Sequence, residues 1–161
     1  MKHLTEAIAY EGLRRLLNDR EPSILTLDPG ESTGWCFLDR DNNLTAGTAP
    51  KDHLAVAERI DVLNPDIVVF ETFNMYPGKA QSLIWNSFYP CEVIGVIKYR
   101  CASLDKYIVG QAPSIKKYAG PLPNKFIRYS KIERLTEHSK DACQHLCYYL
   151  RQVKAIDRVL S

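Results

Sequence analysis

The sequence predicts an α/β fold, a mixed sheet carrying helices on its faces, and three observations predict it. Strand and helix patterns alternate along the chain after an opening run of three strand-like segments. The stretch "DIVVFE", Asp66 to Glu71, holds a continuous apolar run between its two acidic ends, the mark of a strand covered on both faces. That strand and the first one, Ile24 to Asp28, both end on a carboxylate.

Taken in order, residues 3–18 read as a helix with Leu4, Ala7, Ile8, Leu13, Leu16 and Leu17 as its apolar stripe, and Pro22 as its stop. Strand one is Ile24 to Asp28 and strand two Gly34 to Leu38. The turn cluster "DRDNN" returns the chain as strand three, Leu44 to Thr48. Lys51 to Leu63 has helical spacing and is stopped by "NPD"; strand four is Asp66 to Glu71. A loop, Thr72 to Gly78, precedes two helical stretches, "KAQSLIWNSF" and "PCEVIGVIKYRC", the second opened by Pro90. Asp105 to Gln111 reads as strand five, and a short helix opens after Pro113. "GPLPN" is a connection, and the last helix runs from about Glu137 to Val153.

A chain of 161 residues suits one full-sized domain. No apolar run approaches the ~20 residues of a membrane span, and the N-terminus lacks the pattern of a secretion signal. Five irregularly spaced cysteines are no disulfide framework, so reduced thiols and a cytoplasmic location are expected. Charge is uneven. Residues 1–103 carry ten basic against fourteen acidic groups and residues 104–161 eleven against five, a polarity fitting either a polyanion-facing half or a solvated basic face.

The terminal carboxylates carry the chemistry. A right-handed parallel crossover from strand one to strand four sets Asp28 beside Glu71 at one sheet edge. Two adjacent ionised carboxylates repel, so a shared proton or a cation must offset them. A hard divalent ion such as Mg²⁺ takes oxygen ligands. In the last helix His138 and Asp141 are three residues apart and share a face, with His145 four beyond Asp141. Cys143, Leu146, Cys147 and Leu150 fall on another face, suited to packing on the sheet. Asp28, Glu71, His138 and Asp141 thus form a candidate set for metal-assisted phosphodiester cleavage, in which two ions ~3.5–4 Å apart clamp the scissile phosphate.

"LDPGESTGW", "IVVFE" and "HSKDA" resemble, in order and rough spacing, the three motifs of RuvC-type Holliday junction resolvases. The first motif is matched by Asp28, Pro29, Gly30, Thr33, Gly34 and Trp35, the second by Glu71, the third by His138 and Asp141. The resemblance covers about Ile24 to Arg151. It implies a ribonuclease H-like fold with strand order 3-2-1-4-5 and strand two antiparallel, in a nuclease domain over residues 23–161 behind an N-terminal helical extension, 1–22. The segment from Gly30 to Thr33 is one residue shorter than in bacterial members, which suggests a phage-type relative.

The implied function is metal-dependent, structure-specific cleavage of branched DNA, four-way junctions above all, by a homodimer that uses Mg²⁺ or Mn²⁺, one ion or two. Asp28, Glu71, His138 and Asp141 are then both catalytic and metal-binding. The resemblance also points to Lys116 and Lys117 near the scissile strand, and to Phe73, Met75 or Tyr76 as an apolar wedge at the junction. Thr33 is a candidate phosphate contact or a turn cap. The alternatives are a YqgF-like nuclease acting on RNA precursors and a non-catalytic binder of branched DNA. An actin-like sugar kinase would need a second lobe. His138, Cys143, His145 and Cys147 could also be read as a zinc cluster, but a structural site usually draws on two separated ligand pairs.

Overall fold

The computed structural model describes residues 2–73 and 88–161, residues 2–4 by backbone alone. Five strands form one sheet: β1 (Ile24–Asp28), β2 (Thr33–Leu38), β3 (Leu44–Ala49), β4 (Ile67–Glu71) and β5 (Tyr107–Gln111). Their order is β3-β2-β1-β4-β5, with β2 antiparallel to both neighbours and β1, β4 and β5 parallel. The fold class and strand order read from the sequence are those observed.

Alternation along β1 and β4 divides the apolar side chains between two layers. Ile24, Ile67 and Val69 face the layer built on Tyr10, Leu146, Tyr149 and Leu150. Leu25, Leu27, Val68 and Phe70 face the opposite layer, with Val56, Ile60, Val93 and Ile97. The first layer holds α1 (Lys2–Leu16), α4 (Asn124–Ile132), α5 (Glu137–Gln152) and α6 (Ile156–Leu160); the second holds α2 (His53–Leu63) and α3 (Tyr89–Ser103). Burial on both sides explains why β1 and β4 are apolar almost throughout.

Several boundaries have local causes. Asp52 caps α2 by accepting from the backbone N–H of Leu54, and Asn64 ends it with φ 45°. Helix α1 stops earlier than Pro22 requires, because Asn18 and Asp19 take φ of 53° and 62°. Its apolar stripe also differs from the sequence reading. Ile8 and Leu16 are exposed, and the buried face carries Glu6 and Tyr10. The reason is polar: Tyr10 donates a 2.6 Å hydrogen bond to Glu21, which also accepts from Arg158 of α6. This network turns the helix so that Tyr10 packs edge-on against Tyr149.

Two helices had no counterpart in the sequence reading, α4 and α6. The first follows Pro123 directly and buries Phe126. The helical stretch read at "KAQSLIWNSF" lies, except for Phe88, outside the described residues, and Pro90 sits in the first turn of α3.

At the sheet end away from the carboxylates, Asp66 ties β4 to β1. It accepts from the Ser23 N–H and hydroxyl at 2.8 and 2.9 Å and from the Arg40 guanidinium at 2.9 and 2.6 Å. Those bonds outweigh the effect of burial and hold its carboxyl below the usual carboxylate range.

Candidate active site

Parallel pairing of β1 with β4 matches Leu27 to Phe70, so the next residues, Asp28 and Glu71, finish the two strands side by side. The next strand adds Gln111, which pairs with Glu71 in the β4–β5 register. Three polar side chains therefore close three adjacent parallel strands at the carboxyl ends, where open α/β sheets place their ligands.

Helix α5 brings the remaining groups. It lies almost on the backbone of β2: a Cβ at Gly34 would sit 2.0 Å from the carbonyl of His138 and 2.4 Å from the Ser139 nitrogen. Only glycine allows that approach. Thr26, inside β1, donates a 2.6 Å bond to the Ala142 carbonyl and fixes the helix one turn further on. At its start Thr136 is the N-cap, accepting from the Ser139 N–H. The helix enters the site with His138 and Asp141, while Cys143, Leu146, Cys147 and Leu150 pack into the core.

His138 Nδ1 is 2.9 Å from Asp28 Oδ2, and its ring lies over Gly30, where a Cβ would come within 2.7 Å. Asp28 is nearly inaccessible at 3% exposure. Burial pushes its carboxyl above the usual range, the His138 bond opposes this, and the charges of Glu71 and Asp141 push further upward. Lys116, on the 3-10 helix Pro113–Tyr118 after β5, places its ammonium 3.0 Å from Glu71 Oε2 and 2.6 Å from Asp141 Oδ2. Burial alone would raise the Glu71 carboxyl, but hydrogen bonds from His145 and Lys116 hold it below the usual range. The same pairing keeps the Lys116 ammonium charged against its own burial.

The cation that offsets the acidic cluster here is thus a side chain. Among the described residues no group of three His, Cys, Asp or Glu side chains is gathered to hold an ion as it stands. The donor chemistry nevertheless suits a hard divalent ion, because three carboxylates lie within electrostatic reach of one another and a single ammonium bridges two of them. Cys143 and Cys147 are buried in the core, apart from His138, and make no zinc centre with it.

Of the proposed DNA contacts, Lys117 is exposed with its ammonium 4.9 Å from the Tyr118 ring centre, and Phe73 is exposed just beyond β4. Thr33 is fully buried and its hydroxyl has no hydrogen-bond partner among the described residues, so it presents nothing to solvent. Met75 and Tyr76 lie outside the described residues. His145 is absent from the ligand set derived from sequence, yet it is fully buried and bonded to Glu71. Its spacing from Asp141 was the available signal; its partner Gln111 gave none.

No protein-family model matches the sequence, and no curated protein does. Solved structures match the fold. RuvC of Thermus thermophilus in complex with a Holliday junction substrate is 13% identical, with a TM-score of 0.57 over 82% of this chain and 96% of that one. A second structure of Thermus thermophilus RuvC is 14% identical, with a TM-score of 0.51 over the same shares. The yeast mitochondrial Holliday junction resolvase is 13% identical, with a TM-score of 0.50 over 92% of this chain and 87% of that one. With its 3-2-1-4-5 sheet and acidic strand ends, the chain has the ribonuclease H-like fold of the RuvC-type Holliday junction resolvases.

Proposed function

We propose that this protein is a divalent-metal-dependent endonuclease that hydrolyses phosphodiester bonds in branched DNA, with the four-way junction as its principal substrate and a homodimer as its working form. One observation carries the reading. Folding draws Asp28, Glu71 and Asp141 from the first strand, the fourth strand and the last long helix to one sheet end, on a fold it shares with RuvC.

Asp28, Glu71 and Asp141, with His138 beside Asp28, are the residues that would hold Mg²⁺ or Mn²⁺. When bound there, one or two such ions supply activation of the attacking water and stabilisation of the leaving oxygen. The chain's own groups prepare the rest. His138 holds Asp28 in place at 2.9 Å. Lys116 gives the site a positive charge to meet a phosphate once the carboxylates turn to an ion. Lys117 and Phe73, both exposed, are available to the DNA backbone and to an unstacked base step. A twofold dimer fits symmetric incision of a four-way junction, which requires two related sites.

The test is nicking of a synthetic four-way junction against linear duplex, forked DNA and RNA, with Mg²⁺, Mn²⁺ or chelator. Junction cleavage that needs the metal and disappears in Asp28→Asn is expected. Preference for RNA would move the assignment to precursor processing, and metal-dependent binding without cleavage would make the chain a non-catalytic binder. Sedimentation with and without junction DNA reads the dimer.

A further inference from the structure

Beneath the carboxylate cluster lies a buried pair that the cleavage chemistry does not itself require. His145 of α5 is fully buried, its Nε2 2.8 Å from Glu71 Oε2 and its Nδ1 2.7 Å from Gln111 Oε1. Glu71 and Gln111 are register partners on β4 and β5, so one imidazole spans the side chains of two neighbouring strands. Gln111 is anchored in turn: its carbonyl accepts the Thr72 N–H at 2.8 Å and the Thr72 hydroxyl at 3.2 Å. The amide Nε2 of Gln111 is buried without a hydrogen-bond partner among the described residues, so the amide is held by its contact with His145 and not by a network of its own.

We propose that His145 and Gln111 form a positioning pair that fixes the Glu71 carboxylate for ion binding without either residue joining the ligand shell. Both imidazole nitrogens are already engaged, which leaves neither free to ligate a metal. His145 and Lys116 both bond Oε2 of Glu71, so the pair fixes one carboxylate oxygen and leaves Oε1 as the ligating atom. A buried imidazole between a carboxylate and a second polar group fixes rotamer and direction, as outer-shell partners do at metal sites. The role rests on the nuclease reading above, and the contact itself can be measured apart from it.

Three substitutions separate positioning from filling space. His145→Gln keeps an amide nitrogen near the Nε2 position, His145→Leu keeps volume without a donor, and Gln111→Leu removes only the far contact. In a double-mutant cycle with Glu71→Gln, read by denaturant unfolding in chelator, His145 and Glu71 should couple by about tenfold in the unfolding constant. Mn²⁺ affinity by calorimetry and kcat on the four-way junction should each fall about 10–100-fold in His145→Leu, with KM unchanged, and recover substantially in His145→Gln. Gln111→Leu should move both in the same direction by less, and it carries the comparison should His145→Leu not fold. Absence of coupling, or a leucine variant matching wild type while the glutamine variant fails, overturns the positioning role. Coupling and Mn²⁺ binding in a wild type that cuts no nucleic acid would overturn the nuclease reading and leave the pair standing.

Discussion

His138 Nδ1 lies 2.9 Å from Asp28 Oδ2, a contact between residues 110 positions apart that closes the last long helix onto the first strand. Asp28 is buried there, and its carboxyl sits above the usual range chiefly because burial disfavours the charge. At neutral pH the ionised group is therefore a cost to the metal-free fold, and the cost fades as pH falls through the raised folded value. Asp28→Asn, similar in shape and uncharged, should keep or raise the melting temperature in chelator at pH 7 while lowering junction cleavage at least about hundredfold. A large loss of melting temperature would count against this account.

Lys116 makes the opposite prediction. Its ammonium bridges Glu71 and Asp141, so Lys116→Met leaves two partly buried carboxylates facing one another. The metal-free variant should lose about 1–2 kcal/mol of stability, a figure kept small by the partial exposure of the lysine. Millimolar Mg²⁺ or Mn²⁺ should restore more stability to this variant than to wild type, because ion and ammonium neutralise the same carboxylates. Thermal melts across a metal titration give the answer.

Glu21 gives the pH dependence. Burial would raise its carboxyl, but bonds from Arg158 and Tyr10 outweigh burial and hold it below the usual range. A lowered folded value means that the stabilisation is complete above the unfolded pKa, about 4.3, and is lost as pH falls through the folded value. Wild type should thus lose stability more steeply than Glu21→Gln on acidification from pH 5 to pH 3, read as denaturant midpoints at each pH. Equal slopes would show that the Arg158–Glu21–Tyr10 network does not couple to folding.

Gly34→Ala tests how closely α5 sits on the sheet. The added methyl would meet the His138 carbonyl and Ser139 nitrogen, backbone atoms that cannot move aside cheaply. A loss of about 1–3 kcal/mol is expected, with weakened metal binding because Asp141 moves with the helix. Circular dichroism melts and Mn²⁺ calorimetry on one preparation would check both halves.

What the sequence made legible follows from periodicity. The apolar run ending at Glu71 fixed β4 as a central strand, and crossover handedness then set it beside Asp28. The 3.6-residue period of α5 correctly separated Cys143, Leu146, Cys147 and Leu150 from the site-facing residues. Contacts made only in the folded chain were not legible. Tyr10 and Glu6, not Ile8 and Leu16, are buried on α1 because Glu21 and Arg158 meet there. Helix α4 is short, and its burial rests on Phe126 and on Tyr129, whose hydroxyl accepts from the Ala46 N–H of β3. Reading His145 as part of a polar face missed that β5 would offer it Gln111 and so draw it fully inside.

The contact of α5 with Gly34 has a bearing on biosynthesis. A ribosome-bound chain that has emerged only as far as β4 already carries Asp28 and Glu71, but has yet to expose Lys116, His138 or His145. Its acidic pair lacks the Lys116 ammonium and its sheet lacks the covering helix, so the carboxylate cluster is assembled only once α5 has closed onto β2.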